Sequence, residues 1–571
     1  MKDSPLYNKD MAPIPQDERS WSKWDLTAIW IGMAVCIPTY LLASYMINSG
    51  LKWFEALIII GVANLIITIP MVLNGHAGVK YGIPFPVVGR SAFGIKGIHI
   101  AAIARAIVAC GWFGVQTWIG GLAIYEIWNA VIGVESSVDL NVAKFVCFAI
   151  FWFINMYFIW KGTESIKWLE KLAAPILILI GLALISWGMN AAGGFGNVLE
   201  QSKQLESPSY TLTETGTDLQ LDINPLKGLD NNYKATSYQI MLEDGSGTSN
   251  TDWIEISSST NSSSSKNWGL ENLDVNSLRE GEQSLKMQLR KDTEKDFIYS
   301  SQIALSINSK TEQDVWSKIW SYLIWLTAMV GFWATMAISI ADITRYASTQ
   351  RDQILGQFMG LPLTMLFYSF VGIFATCAAV VFFKDVLISN DAPWEPISLI
   401  GKFDNTALVI VSQFFMLIAT LSTNIAANVI APANTFANLW PRKINFARGG
   451  TITGVIGILL CPWWILNEIS GLLIAVSSIL GPVLAILICD YFIIRKKSLD
   501  LNALYKVDGI YSFNNGFNVA AIIALITGVL VALSGLFIPA FDFLYKLSWF
   551  SGFASSFVVY WALMKNKPSG S

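Results

Sequence analysis

Leu417-Ile-Ala-Thr-Leu-Ser-Thr-Asn-Ile-Ala-Ala-Asn-Val-Ile-Ala-Pro432 lies inside a long apolar run, yet it carries Thr420, Ser422, Thr423, Asn424 and Asn428. Hydrocarbon gives such groups no partner, and an unpaired amide or hydroxyl there costs roughly 2–7 kcal/mol. They must face other helices, a wet cavity, or a bound ion or solute. A single serine or threonine reads as glue that lets membrane helices pack closely. Four polar residues with a second amide one turn on read as a site. At helical spacing Asn424 and Asn428 are i, i+4 and share a face. Ser422 and Thr423 direct two hydroxyl oxygens at one hard cation.

The rest of the chain agrees with a membrane setting. Of 571 residues, 53% are hydrophobic and 14% charged, against about 25% charged in soluble domains. The net charge of −3, with no basic block, gives no sign of nucleic-acid binding. The six cysteines all fall in apolar runs without metal-ligand spacing, and histidine occurs only at positions 76 and 99. No nucleophile–base pair or phosphate loop is visible, so an enzyme is not expected. The polar N-terminus, Met1 to Lys23, lacks the apolar core of a signal peptide.

About twelve apolar runs are long enough to cross a bilayer, which needs roughly 20 residues each. They cover residues 26–47, 53–74, 98–131, 141–161, 167–191, 316–344, 353–383, 405–433, 449–466, 469–494, 517–538 and 545–565. Basic residues cluster in alternate loops: Lys80, Arg90 and Lys96; Lys161, Lys167 and Lys171; Arg345 and Arg351; Arg442, Lys443 and Arg448; and Arg495, Lys496 and Lys497. The positive-inside rule then puts both termini in the cytoplasm of a multi-pass plasma (cell inner) membrane protein. Residues 196–314 break the pattern. They are polar, with alternation at Tyr210-Thr-Leu-Thr, Leu219-Gln-Leu-Asp-Ile, Ser237-Tyr-Gln-Ile-Met-Leu and Leu285-Lys-Met-Gln-Leu. This predicts a small β-sandwich-like domain, inserted outside the membrane after five spans. The expected organisation is a tail at 1–25, helices one to five at 26–195, the insert at 196–314, helices six to ten at 315–495, helices eleven and twelve at 496–565, and a tail at 566–571.

Transporters bind substrate near the midplane, where discontinuous helices free backbone groups. The first span contains Pro38, which cannot donate its amide and clashes with the preceding turn. The sixth has a comparable weak point at Val330-Gly331-Phe332-Trp333-Ala334-Thr335. Two breaks at corresponding positions of successive five-span halves match an inverted repeat. Carbonyls of Gly32 and Val35 would then meet the carbonyl of Ala419 and the hydroxyls of Ser422 and Thr423. Five neutral oxygens suit a weakly held monovalent ion, sodium, better than Ca²⁺ or Mg²⁺. In the third span Trp112 and Gln116 are i, i+4. An indole stacks on a flat heterocycle while the amide offers a donor and an acceptor to its edge, and Trp333 supplies a second face. Arg105 and Asp342 read as structural partners towards the cytoplasmic end.

Several stretches together resemble the nucleobase–cation symporter-1 family, whose members include hydantoin, allantoin, uracil and cytosine permeases. They are Ala-Ile-Trp30, Asn74-Gly-His-Ala-Gly-Val-Lys-Tyr-Gly-Ile-Pro-Phe-Pro-Val, Arg90-Ser-Ala-Phe-Gly94, Trp112-Phe-Gly-Val-Gln-Thr-Trp, Ser422-Thr-Asn-Ile-Ala-Ala-Asn, and Gly481-Pro followed by Asp490-Tyr-Phe. The resemblance runs from about Trp24 to Trp561 without the insert. It implies an all-α five-plus-five inverted repeat of LeuT type with two extra C-terminal helices. It places substrate on Trp112, Gln116, Trp333 and Asn428, and the cation on Gly32, Val35, Ala419, Ser422 and Thr423. One position departs: where the hydantoin permease carries a glutamine in the first span, this chain has Cys36, which loses a polar substrate contact. Retention of both hydroxyls favours sodium over proton coupling. The expectation is a sodium symporter importing a nucleobase or related heterocycle as a monomer. The alternatives are proton-coupled uptake of a vitamin or other heterocycle, and a receptor using the outer domain.

Overall fold

The computed structural model describes residues 3–48, 51–134, 140–191, 194–200, strand residues between 209 and 304, 315–382, 406–465 and 469–566. Among these, eight helices are long and apolar enough to cross a bilayer. They fall in the expected second to fifth, seventh, eighth, tenth and eleventh spans. Each of the other four is short for a visible reason. The first and sixth are broken. The ninth is the 14-residue helix Phe446–Leu459. The twelfth, Ser548–Met564, follows a 90° bend from Pro539–Lys546.

The first span is two helices, α1 (Lys23–Ala34) and α2 (Ile37–Asn48). A capping box starts α1, with Ser22 and Asp25 bonding each other's backbone N–H. A helical Pro38 would push its ring into the Ala34 carbonyl, and α1 stops at that residue. The break therefore lies at Val35 and Cys36, upstream of Pro38. The proline itself falls in the first turn of α2, where its missing N–H costs nothing. Two carbonyls are freed as a result. The N–H of Cys36, the normal partner of Gly32 O, donates to Ala34 O instead, at 3.0 Å. That of Thr39, the normal partner of Val35 O, donates to Cys36 O at 3.1 Å.

Next come α3 (Trp53–Tyr81), α4 (Ile98–Ile132), α5 (Val142–Lys161) and α6 (Thr163–Ala191). The described residues then form seven strands, an antiparallel pair, Ser209–Thr215 with Asp218–Asn224, and a five-stranded antiparallel sheet ending at Phe297–Ala304. The sixth span is α7 (Val315–Phe332) followed by α8 (Ala334–Ser339). Its hinge is Trp333, at φ −97° and ψ 6°, inside the stretch 330–335 expected to be weak. The chain continues through α9 (Gln350–Phe382), α10 (Thr406–Asn428), α11 (Ile430–Leu439), α12 (Phe446–Leu459), α13 (Ile469–Ile488), α14 (Val519–Leu533) and α15 (Ser548–Met564).

Helix α4 packs along both α10 and α12. Its approach to α12 is backbone to backbone. A Cβ on Gly114 would lie 2.3 Å from Gly457 O, so a side chain at either glycine would displace the helix that carries Trp112 and Gln116. At one end of the bundle the N-terminal segment straps the helix ends together. Asn8 Nδ2 donates to Pro441 O and Ile444 O, at 2.9 and 2.8 Å. Arg345 donates to Asp10 O and Ala12 O, and Tyr505 to Met11 O.

Candidate functional site

Gly32, Val35 and Thr423 come together across the α1 break. Thr423 Oγ1 donates towards Gly32 O at 2.8 Å and lies 3.3 Å from Val35 O. Ala419 packs with Val35 against Ala173 and Leu177, and Ser422 is fully buried on the same helix. One turn before Thr423, Thr420 Oγ1 is buried with no hydrogen-bond partner among the described residues. No cluster of three His, Cys, Asp or Glu side chains occurs among those residues. Neutral carbonyl and hydroxyl oxygens are what this position offers, and they fit a monovalent cation.

Immediately next to Val35, Cys36 Sγ lies 3.2 Å from Thr39 Oγ1, with Gln116 nearby. Gln116 is 2% exposed and Trp333 3%. Gln116 Oε1 and Trp333 Nε1 are both buried without a partner among the described residues, an acceptor and a donor respectively. Leaving such atoms unpaired costs about 1–3 kcal/mol each. A flat ring bearing N–H and carbonyl groups would satisfy both. The tryptophans do not face each other bare. Phe332 meets Trp112 edge-on at 5.7 Å and Trp333 edge-on at 5.0 Å, and Trp30 meets Trp333 at 5.4 Å. Phe332 is a wall residue that the sequence reading missed, because an aromatic in an apolar run carries no signal of its own.

Asn428 ends α10 and donates to Asn424 Oδ1 at 3.2 Å. Asn424 Nδ2 in turn faces Phe113 O, Thr117 Oγ1 and Asn155 Oδ1 at 3.1–3.3 Å. Asn424 therefore positions Asn428 and joins α10 to α4 and α5. Asn155 and Thr117 were also missed, although an amide in the middle of an apolar span was itself a signal. Asn424→Ala should orphan several of these groups, at about 1–3 kcal/mol. The expected result is a lower unfolding temperature in detergent together with weaker substrate binding, measured on the same preparation.

Below this group Arg105 is fully buried, donating to Thr335 O at 3.2 Å and Ala427 O at 3.3 Å. It thus holds α8 against the end of α10, the structural role expected of it. Asp342 Oδ1 accepts from Phe85 N and Asn434 Nδ2.

A bundle of apolar helices, two of them broken where buried polar groups converge, is the architecture of a membrane permease. The family model for permeases of cytosine/purines, uracil, thiamine and allantoin matches residues 13–214 and 302–552, and the chain belongs to this family, nucleobase–cation-symport-1. The chain is 32% identical to the purine-uracil permease NCS1 of Arabidopsis thaliana, over 98% of this chain and 75% of the relative. It is 29% identical to the allantoin permease of Bacillus subtilis, over 99% and 94%. The structure of Mhp1, a nucleobase-cation-symport-1 family transporter in a closed conformation with bromovinylhydantoin bound, superposes with a TM-score of 0.67. Identity there is 21%, and 99% of this chain and 98% of Mhp1 are covered. The chain is thus an integral membrane permease for a small molecule, with the fold of Mhp1, and its relatives are permeases rather than enzymes.

Proposed function

We propose that this permease imports a nucleobase-like heterocycle together with sodium by alternating access. One stretch of backbone carries the reading. Val35, whose freed carbonyl faces Thr423, is bonded directly to Cys36, which lies near Gln116. Sodium binding to the oxygens of Gly32, Val35, Ala419, Ser422 and Thr423 would hold the break in one shape, and that shape sets the substrate wall. Coupling of this kind typically amounts to about 1–3 kcal/mol and works in both directions. Substrate would lie on Trp112, with Trp333 at its other side, while Gln116 and Asn428 read its edge. One positive charge moving inward adds about 2.3 kcal/mol per 100 mV. Names of the relatives point to purines, uracil and allantoin as candidate cargo. Cys36 in place of a longer polar side chain argues for a substrate other than hydantoin.

Twelve crossings, with α1–α2 and α7–α8 as the paired broken spans of an inverted repeat, and both termini cytoplasmic, complete the proposed topology. The strands between residues 209 and 304 would form an extracytoplasmic domain. The family model has no counterpart for residues 215–301, which supports an insert outside the transport machinery. Deleting residues 205–310 should leave uptake largely intact; loss of uptake in a variant that still reaches the membrane would give the insert a role in transport.

The test is uptake into proteoliposomes of labelled uracil, cytosine, hypoxanthine, hydantoin and allantoin, with and without an inward sodium gradient. Accumulation of one ring only with sodium is expected. Uptake driven by a proton gradient alone would overturn the cation assignment and leave the substrate class standing.

A further inference from the structure

A cavity of about 610 Å³ opens where α13 and α15 end, and Arg495, Lys496, Lys565 and Asp500 are among its lining residues. Ile493 and Trp561, 47% and 42% exposed, line its apolar side and face outward from the bundle. A lining that combines cationic and exposed apolar side chains belongs at the edge of the hydrocarbon.

Its charges are not equivalent. Arg495 is committed inward: Nε pairs with Asp490 Oδ2 at 2.8 Å and Nη2 donates to Ser91 O at 2.8 Å. Asp500, the one carboxylate in the lining, accepts from Ala503 N. Lys496 and Lys565 have no ion-pair partner among the described residues. Lys565 does lie 4.7 Å over the Trp561 ring.

The backbone at Lys496 is held in place at some cost. Lys496 and Lys497 are both left-handed, at φ 49° and 63°. For residues with a Cβ this conformation is unfavourable, and it persists only where the surroundings impose it. Here they do. Lys497 N donates to Tyr491 O at 2.7 Å, and Lys497 O accepts from Lys80 Nζ and Tyr81 OH. The α3 end thus fixes the turn in which Lys496 lines the cavity.

We propose that this cavity binds the headgroup of an anionic phospholipid, with Lys496 and Lys565 on the phosphate and an acyl chain along Ile493 and Trp561. Two ammonium groups against the one carboxylate of Asp500, beside exposed apolar side chains, complement an anionic amphiphile better than a zwitterionic one. The inference needs the chain to sit in a bilayer and does not depend on the transported substrate or on sodium.

Native mass spectrometry of the full-length protein tests it, with phosphatidylglycerol and phosphatidylcholine titrated in parallel. The protein should retain phosphatidylglycerol in preference, and Lys496→Gln and Lys565→Gln should each weaken retention about fivefold. Lys496→Gly, which removes the charge and relieves the left-handed strain, should do the same without loss of thermal stability. Lys497→Gln should leave retention unchanged, since that side chain lies over Phe492 instead. Equal retention of phosphatidylglycerol by the Lys496→Gln/Lys565→Gln double variant would overturn the proposal. So would full competition by free glycerophosphate, which would mark a soluble anion as the occupant.

Discussion

Thr423→Ala should raise the sodium concentration that gives half-maximal uptake by roughly 10- to 100-fold. The hydroxyl sits 2.8 Å from Gly32 O and 3.3 Å from Val35 O, with both carbonyls freed by the α1 break. A hydrogen-bonding group on a charged partner contributes about 1.5–3 kcal/mol, and each 1.4 kcal/mol is about tenfold in affinity. The alanine variant also unties α10 from α1, so a purely structural effect has to be separated. Thr423→Ser keeps the hydroxyl in the same place and should restore most of the sodium affinity. Substrate affinity at saturating sodium should change far less in both variants. Initial uptake rates against sodium concentration, at fixed substrate, decide the matter. An unchanged sodium dependence in the alanine variant would move the ion elsewhere.

Asp342 Oδ1 accepts from Phe85 N and Asn434 Nδ2, and Arg105 donates to the carbonyls of Thr335 and Ala427. Asp342 Oδ2 and Arg105 Nη1 are buried without a hydrogen-bond partner among the described residues. Through those two carbonyls Arg105 joins α8 to α10, and Asn434 ties Asp342 to α11. The proposed substrate and cation donors would meet at Val35 and Cys36. The same two residues also join α1 to α2, so under the proposed function coupling between the two sites would need no long path.

How much of this was legible in the sequence differs from residue to residue. The polar stretch in α10 was readable because hydrocarbon punishes every unpaired group, so Thr423 and Asn424 had to have partners. Which partners they have was not readable. Gly32 O is an acceptor only because the helix breaks, and the break falls at Val35 and Cys36, since Pro38 excludes the Ala34 carbonyl and is itself tolerated inside α2. At the sixth span the weak stretch 330–335 was legible, but not which residue is the hinge; it is Trp333, with Phe332 and Trp30 packed edge-on around its ring. Phe332 illustrates the limit. Its sequence context is that of any core aromatic, and only tertiary structure puts its ring at the edge of both tryptophans. The spans shorter than a bilayer were legible as apolar runs and not as whole helices, because hydropathy does not register a change of direction.

Trp112→Ala should reduce substrate affinity by roughly 10- to 100-fold, because base–aromatic stacking contributes about 1–3 kcal/mol per ring. The same substitution removes the edge contact with Phe332 at 5.7 Å, a pair worth about 0.5–1.5 kcal/mol beyond its buried area. Phe332 would then be free to tilt towards Trp333, which it already meets at 5.0 Å. Uptake should therefore fall further than binding, since the second face is disturbed as well. Trp112→Phe keeps a flat surface of smaller area and should retain an intermediate affinity, whereas a merely space-filling Trp112→Leu should not. Sodium binding, which rests on α1 and α10 rather than on this ring, should persist at reduced affinity to the extent that the lost ligand no longer reinforces it. Equilibrium binding of labelled substrate to the purified protein, with and without sodium, separates these terms. Intact binding in Trp112→Ala would remove stacking from the account and leave Gln116 and Asn428 to hold the ring by its edge alone.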